Sequence, residues 1–257
     1  MTSPARVLAI LNLFSEERPV WHTDEIIDAM GYTRATGYRY VKDLVEAGFL
    51  QKVSGGRYSL GARIIELDYQ LRRSDPVLLA AVPVMDQLVA RRARLDAVLT
   101  TLLGNGIIDI YRASADAALQ LGYGRGRPRP LFKGAAPKVI LSCTPRPQLV
   151  KIYEAKAAEA AKHGLGSTWA EFRTYLADIR KRGFYWSVGE LEPGVGGAAV
   201  PLLNKDGEAL AALALVGTNE SLEGVGAARI EALLVRARDE ISSRLSSGVK
   251  PPETVAT

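Results

Sequence analysis

Between Thr33 and Arg39 the chain reads "TRATGYR", which sets two guanidinium groups, two threonine hydroxyls and a small methyl within seven residues. These groups suit reading of base edges. An arginine donates twice to guanine, a threonine reaches a base edge or a phosphate, and an alanine touches the thymine methyl. A helix advances about 100° per residue, so Ala35, Thr36, Arg39 and Asp43 gather on one side, with Arg34 at the tip and Tyr40 on a flank. Gly37, Tyr38, Val41, Leu44 and Val45 gather on the other side and are expected to pack inward. A helix N-terminus adds dipole and free N–H groups that favour phosphate. A little further on, Lys52 and Arg57 flank Gly55-Gly56, where they would grip backbone. Thr36 and Arg39 are the expected base contacts; Arg34, Tyr40 and Arg57 are the expected phosphate contacts.

The elements needed to hold that helix are legible around it. "PARVLAILNLF" places Val7, Leu8, Ile10, Leu11 and Phe14 at helical spacing. "HTDEIIDAMG" offers Thr23 as N-cap, acids in the first turn, a stripe of Ile26, Ile27 and Met30, and Gly31 as the stop. Thr33 caps the third helix, which runs to about Ala47. "FLQKVSGGRYSLG" alternates about a two-residue Gly-Gly turn, a hairpin signal. For one amphipathic helix with two arginines, a solvated face is the ordinary reading. Three helices, a Gly-tipped hairpin and a connecting helix in that order outweigh it, and predict a winged helix-turn-helix.

Bulk charge is not the argument. The net charge is +5, yet residues 1–75 carry 10 Lys/Arg against 10 Asp/Glu, and the surplus falls in residues 76–150, with 10 against 4. Local placement must carry DNA binding. The 257 residues suffice for two domains, and no apolar run approaches the roughly 20 residues of a membrane span. One cysteine, Cys143, excludes an internal disulfide and a multi-cysteine metal cluster. No signal peptide is expected, and a cytoplasmic location fits.

"ARIIELDYQLRRSDPV" reads as a connecting helix, which places the boundaries at residues 1–61 (DNA-binding), 62–75 (linker helix), 76–247 (second domain) and 248–257 (a disordered tail). A long helix, about Leu78 to Arg94, opens the second domain. "DAVLTTLLGNGIIDIYRA" is a hairpin about Gly104-Asn105-Gly106. A Gly/Pro/Arg loop follows, then short helices from about Ala135 and Gln148, then "TWAEFRTYLADIRKRG" as a longer helix ending at Gly183. "GGAAVPLLNKDGEALAALALVG" gives two buried strands about an Asp-Gly turn, and "ARIEALLVRARDEISSRL" a last amphipathic helix. Hairpin-connected strands make this an α+β domain with a largely antiparallel sheet flanked by helices.

Other residues capable of chemistry do not assemble into a catalytic constellation. His22 and His163 are too few for a metal site, and His22 is expected to face solvent. Cys143 lies in apolar "KVILSC" and reads as a buried thiol. "GYGRGRP" has glycines without a Walker or dinucleotide pattern. Glu190 and Glu192 read as loop carboxylates at a turn, and Arg125, Arg127 and Arg129 as a solvated loop or a ligand contact. No cofactor, no metal and no enzymatic activity are expected.

In "RVLAILNLF", "EIIDAMGYTRATGYRYVKDLVEAGFL", "GRYSLG", "PLFKGAAPKVILS" and "GFYWSVGELEPGVGGAAVPLLNKDGEALAALALVG" the chain resembles the IclR family of bacterial transcriptional regulators, over nearly its whole length. The resemblance implies a C-terminal effector-binding domain of GAF-like fold, and a homodimer or tetramer on a roughly palindromic double-stranded DNA operator. It places recognition on Arg34, Ala35, Thr36, Tyr38 and Arg39 and the wing on Lys52 to Tyr58. It frames an effector pocket with Ala118, Leu121, Arg129, Ala135, Ala136, Ser187, Val195, Gly197, Ala214 and Val216. Two departures stand out: Pro137 precedes Lys138 where the family has glycine, and Ala214 and Val216 replace serines of relatives that bind small oxo-acids. An apolar wall there leaves a ligand's oxygens unpaired, at about 1–3 kcal/mol each. The expected effector is therefore a small organic acid with an apolar, for instance aromatic, body, its carboxylate held by Arg129 and the helix starting near Ala135. The runner-up is an enzyme acting on a small acid in the GAF-like domain, with the winged helix making protein contacts.

Overall fold

The computed structural model describes residues 2–90, 94–114, 122 and 124–248. Contacts divide the chain into two compact units, Met1–Ser74 and Asp75–Thr257.

In the first unit, α1 (Ser3–Ala9) tightens into a 3-10 turn over Ile10–Leu13, so the single long helix expected there is a composite. After β1 (Trp21–His22) come α2 (Thr23–Met30) and α3 (Arg34–Glu46). The N-cap of α2 is His22, not Thr23. Its Nδ1 accepts from the Asp24 N–H while Glu25 accepts the His22 N–H, completing a capping box. That backbone bond pulls the Glu25 carboxyl below its usual range. His22 is therefore a structural cap, and Thr23 is buried in the first turn. Gly31 closes α2 in the left-handed conformation, at φ +64°, and Thr33 caps α3. Then β2 (Leu50–Val53) and β3 (Arg57–Leu60) pair with Val53 opposite Arg57, so the connection is the three residues Ser54-Gly55-Gly56 rather than two. Trp21 and His22 pair with β3 on its free edge, giving a small sheet in the order β1-β3-β2. The helix α4 (Arg63–Ser74) ends the unit.

A core of Ile10, Trp21, Ile26, Tyr40, Val41, Leu44 and Leu50 holds these elements together. Gly37 sets the spacing of α2 and α3. A Cβ placed there would lie 2.2 Å from Ile27 Cγ1, so only a residue without a side chain lets the helices approach this closely.

The second unit has a six-stranded antiparallel sheet with helices on both faces. Its elements are α5 (Pro76–Ala90), β4 (Leu95–Leu103), β5 (Gly106–Ala113), β6 (Pro128–Arg129), α6 (Ala135–Ser142), α7 (Arg146–Lys162), α8 (Trp169–Arg182), β7 (Tyr185–Val188), β8 (Val195–Leu203), β9 (Ala209–Thr218), α9 (Asn219–Val225) and α10 (Ala227–Ser246). The strand order is β6-β5-β4-β9-β8-β7. Side chains alternate across the sheet. Ala211, Leu213 and Leu215 of β9 join a core with α5 and α10, while Ala212, Ala214 and Val216 join a second core with α6, α7 and α8. The helix from Arg146 runs seventeen residues, longer than its sequence suggested. Of the expected tail, residues 249–257 lie outside the described residues, as do Arg91–Ala93 at the end of the helix predicted to reach Arg94.

Gly37→Ala is expected to destabilise the first unit by about 1–3 kcal/mol through overpacking against Ile27. Urea unfolding followed by circular dichroism measures it. An unchanged midpoint would show that α2 and α3 can separate freely.

Candidate nucleic-acid interface and effector site

One side of α3 is exposed along its length, and its N-terminal part carries the donors. Arg34, Ala35, Tyr38 and Arg39 are exposed and Thr36 is half-exposed, whereas Gly37, Tyr40, Val41 and Leu44 are buried. Two sequence expectations are reversed here. Tyr38, placed inward, is 51 % exposed; Tyr40, placed on a flank as a phosphate contact, is 4 % exposed. The Tyr40 hydroxyl lies 2.9 Å from Ser3 Oγ and its ring meets Tyr32 edge-on, so it ties α3 to α1 and reaches no phosphate. A 100° wheel places residues 38 and 40 almost symmetrically about the buried stripe. The choice between them rests on what α1 offers a phenol, which the wheel does not contain.

The polar groups on this face are held in place. Thr33 Oγ1 accepts the Thr36 N–H and donates to Thr36 Oγ1 at 3.0 Å, leaving the Thr36 hydroxyl proton to point elsewhere. The Arg39 guanidinium lies 5.3 Å from the Tyr40 ring, so the buried tyrosine supports the exposed arginine. Asp24, on α2, accepts from the Tyr38 hydroxyl at 3.2 Å and lies 4.0 Å from Arg34. Its charge raises the Tyr38 phenol's pKa, keeping it a donor. Lys52 and Arg57 are exposed on the hairpin, with Arg57 Nε donating to the Ser54 carbonyl. Tyr38, Arg39, Lys42, Val45, Lys52 and Tyr58 line a groove of about 500 Å³ between α3 and the hairpin. Lys42, not singled out from the sequence, lines this groove one helical turn after Tyr38.

In the second unit, the register brings most of the expected pocket residues onto one face. Ser187 pairs with Gly197, Gly197 with Val216, and Val216 with Asp96, one row across four strands. Val195 and Ala214 lie two residues along on the same face, and Ala135 and Ala136 open α6, which packs on it. Ala118 and Leu121 lie outside the described residues.

Charges on this face come in pairs. Asp96, 1 % exposed, accepts from Arg112 Nε at 2.7 Å. Asp109 accepts from Thr100 at 2.7 Å and from Arg129 on both oxygens, at 2.9 and 3.2 Å. Arg129 thus belongs to a buried ion pair, and a second guanidinium nitrogen lies 3.6 Å from where a Gly134 side chain would begin. Arg125 donates to the Ile110 carbonyl and the exposed Arg127 to that of Gly122, so these arginines fasten a loop that stays partly solvated. Glu190 is also not a free loop carboxylate. Its Oε2 accepts from Lys138 Nζ at 2.6 Å and the Gly134 N–H at 3.0 Å, and its Oε1 accepts from the Tyr185 hydroxyl at 3.1 Å. With its proton on Glu190, Tyr185 receives the Tyr175 hydroxyl at 2.9 Å and Lys138 at 3.0 Å on its oxygen. Burial raises the Tyr185 phenol's pKa, so it stays protonated and donates. Pro137 removes an N–H from the first turn of α6, leaving fewer backbone donors there.

A helix-turn-helix with a β-hairpin wing, joined in sequence to an antiparallel sheet domain, defines a class of DNA-binding regulators. The model of the bacterial transcriptional regulator IclR C-terminal domain matches residues 71–243, and that of the IclR helix-turn-helix domain matches residues 3–54. The chain belongs to the IclR family of bacterial transcriptional regulators. It is 27 % identical over 216 residues to the HTH-type transcriptional regulator KipR of Bacillus subtilis, covering 82 % of this chain and 83 % of that one. It is 26 % identical over 219 residues to the Pca regulon regulatory protein of Pseudomonas putida, covering 83 % and 73 %. Its fold matches the IclR transcriptional regulator from Alicyclobacillus acidocaldarius, with TM-score 0.77, 20 % identity and coverage of 95 % and 98 %. It also matches an IclR homolog from Microbacterium hydrocarbonoxydans complexed with 4-hydroxybenzoate, with TM-score 0.72, 23 % identity and coverage of 96 % and 100 %.

Asp109→Ala removes the buried carboxylate that Arg129 and Thr100 bond and is expected to cost about 3–5 kcal/mol, whereas Asp109→Leu combined with Arg129→Met costs far less. Thermal or urea unfolding compares them. A single variant no worse than the double one would remove the ion pair from the account of this sheet face.

Proposed function

We propose that the protein is a ligand-responsive regulator that binds a two-fold symmetric operator as a homodimer or tetramer, with α3 in the major groove. Thr36 and Arg39 face the bases, Ala35 meets a methyl, and Arg34, Lys52 and Arg57 hold phosphates, with Tyr38 and Lys42 in the groove beside them. The observation that carries this reading is the donor-rich outer side of the N-terminal part of α3, with Arg34, Ala35, Tyr38 and Arg39 exposed, capped by Thr33 and backed by the buried stripe of Gly37, Tyr40, Val41 and Leu44. Oligomerisation is supported by α4, which buries none of its residues and leaves Ile65, Tyr69 and Leu71 exposed at 74, 59 and 52 %. Self-association would cover that surface.

The second unit senses a small organic acid. Ala135, Ala136, Gly197, Ala214 and Val216 make the face between the sheet and α6 small and apolar, and we place the acid's apolar body against it, with Ser187 and Val195 alongside. We assign the acid's carboxylate to Lys138, the Gly134 N–H and Tyr185, whose present partner Glu190 is a quarter exposed on a loop, rather than to Arg129, whose partner Asp109 is buried on β5. The bound 4-hydroxybenzoate of the Microbacterium homolog is an acid of this kind, an aromatic ring with one carboxylate. No helix of the described residues is long and apolar enough to cross a membrane.

Selection of an operator from a random duplex pool, followed by binding titrations at several salt concentrations, tests the DNA reading. Arg39→Ala is expected to weaken operator binding by about 1–3 kcal/mol and relax base preference at one position. Lys52→Ala should weaken all sequences alike and lower the salt slope by about 1. Failure to enrich any sequence, or an Arg39→Ala protein with unaltered binding, would defeat the assignment.

A further inference from the structure

Glu190 sits where the effector's carboxylate was placed above. Lys138 Nζ, the Gly134 N–H and the Tyr185 hydroxyl are all within 3.1 Å of its two oxygens. Such convergence of one ammonium, one amide and one phenol makes a receptor for a single carboxylate. The Lys138 side chain is 4 % exposed and has the Tyr185 and Tyr175 rings at 4.7 and 5.7 Å, so its ammonium cannot stand uncompensated. Its counter-charge comes from a loop rather than a sheet strand or helix. That loop, residues 189–194, is bounded by Gly189 and Gly194, both left-handed at φ +63° and +79° with nothing within 4 Å of where a side chain would begin. Glu190 is also the more exposed partner, at 25 %. The same loop's Glu192 accepts the Gly122 N–H at 2.9 Å.

We infer that Glu190 is a tethered competitor for the effector: its carboxylate fills the Lys138–Gly134–Tyr185 receptor in the free protein, and an incoming carboxylate replaces it there. The exchange keeps the charge on Lys138 constant and conserves the number of hydrogen bonds. Its free-energy difference therefore comes from the ligand's apolar body and from the tether. A side chain on a short loop is present at an effective concentration on the order of millimolar, which weakens the apparent affinity of a free acid accordingly. Release of Glu190 also frees the 189–194 loop to shift, carrying Glu192 off Gly122. Ligand occupancy is thereby written into backbone position in two places. The inference rests on reading this unit as an effector domain for organic acids, and its test separates the two.

Melting temperatures of the full-length protein in sodium acetate and in sodium chloride of equal ionic strength give the first arm. Glu190→Ala vacates the receptor, so acetate should raise its melting temperature by more than about 3 °C over chloride while moving wild type much less. Glu190→Gln, which keeps the side chain's shape but cannot neutralise Lys138, should respond in the same direction if the alanine variant does not fold. Equal responses in variant and wild type overturn the proposal. The second arm is calorimetric titration with 4-hydroxybenzoate, which Glu190→Gln should bind at least about tenfold more tightly than wild type does. Equal or weaker binding by the variant overturns competition. Acetate rescue with no 4-hydroxybenzoate binding to either protein supports the exchangeable carboxylate and instead removes the aromatic acid as effector.

Discussion

Because the six-stranded sheet is covered by helices on both faces, polar groups between it and α6 find little water and must satisfy one another. Asp96 answers Arg112, Asp109 answers Arg129 and Thr100, and Glu190 answers Lys138 and Tyr185. This internal neutrality is what the proposed acid-sensing site would require. A bare buried cation would be too costly to keep, and a fully apolar face would give an acid no reason to bind. The three pairs differ in how firmly they are built. Asp96 and Asp109 belong to strands of the sheet, whereas Glu190 arrives on a loop between two left-handed glycines.

The first unit solves a different problem, that of presenting polar groups on a rigid support. Burial of Tyr40, Val41 and Leu44 fixes the rotation of α3, and Gly37 fixes its distance from α2. Arg39 and Thr36 then take their orientation from neighbours, the Tyr40 ring and the Thr33 hydroxyl. With as many acids as bases in residues 1–75, geometry rather than net charge must make this surface suited to DNA.

Much of this was legible in the amino-acid order, because periodicity and turn chemistry act locally. The α3 boundaries followed from Thr33 and Gly48, and the strand pairs from Gly104-Asn105 and Asp206-Gly207. What was hidden depended on partners distant in sequence. Tyr38 and Tyr40 exchange roles because Ser3 and Tyr32 receive a phenol at 40. His22 caps α2 in place of Thr23 because β1 pairs with β3 and turns the chain one residue earlier. Glu190 meets Lys138 across 52 residues, and Asp109 meets Arg129 across the β5–β6 pairing. No window along the chain contains both members of either pair.

Asp24 has a consequence for search along a genome. Its carboxylate holds the Tyr38 hydroxyl and stands 4.0 Å from the exposed Arg34 guanidinium. A phosphate approaching Arg34 meets this neighbouring anion, so a random stretch of duplex gains less from the arginine than it would from an isolated one. With Thr36 and Arg39 as the proposed base contacts, a site that also satisfies their donors would recover the difference. On the proposed docking of α3, the acid beside it would shorten chance encounters relative to those at the operator.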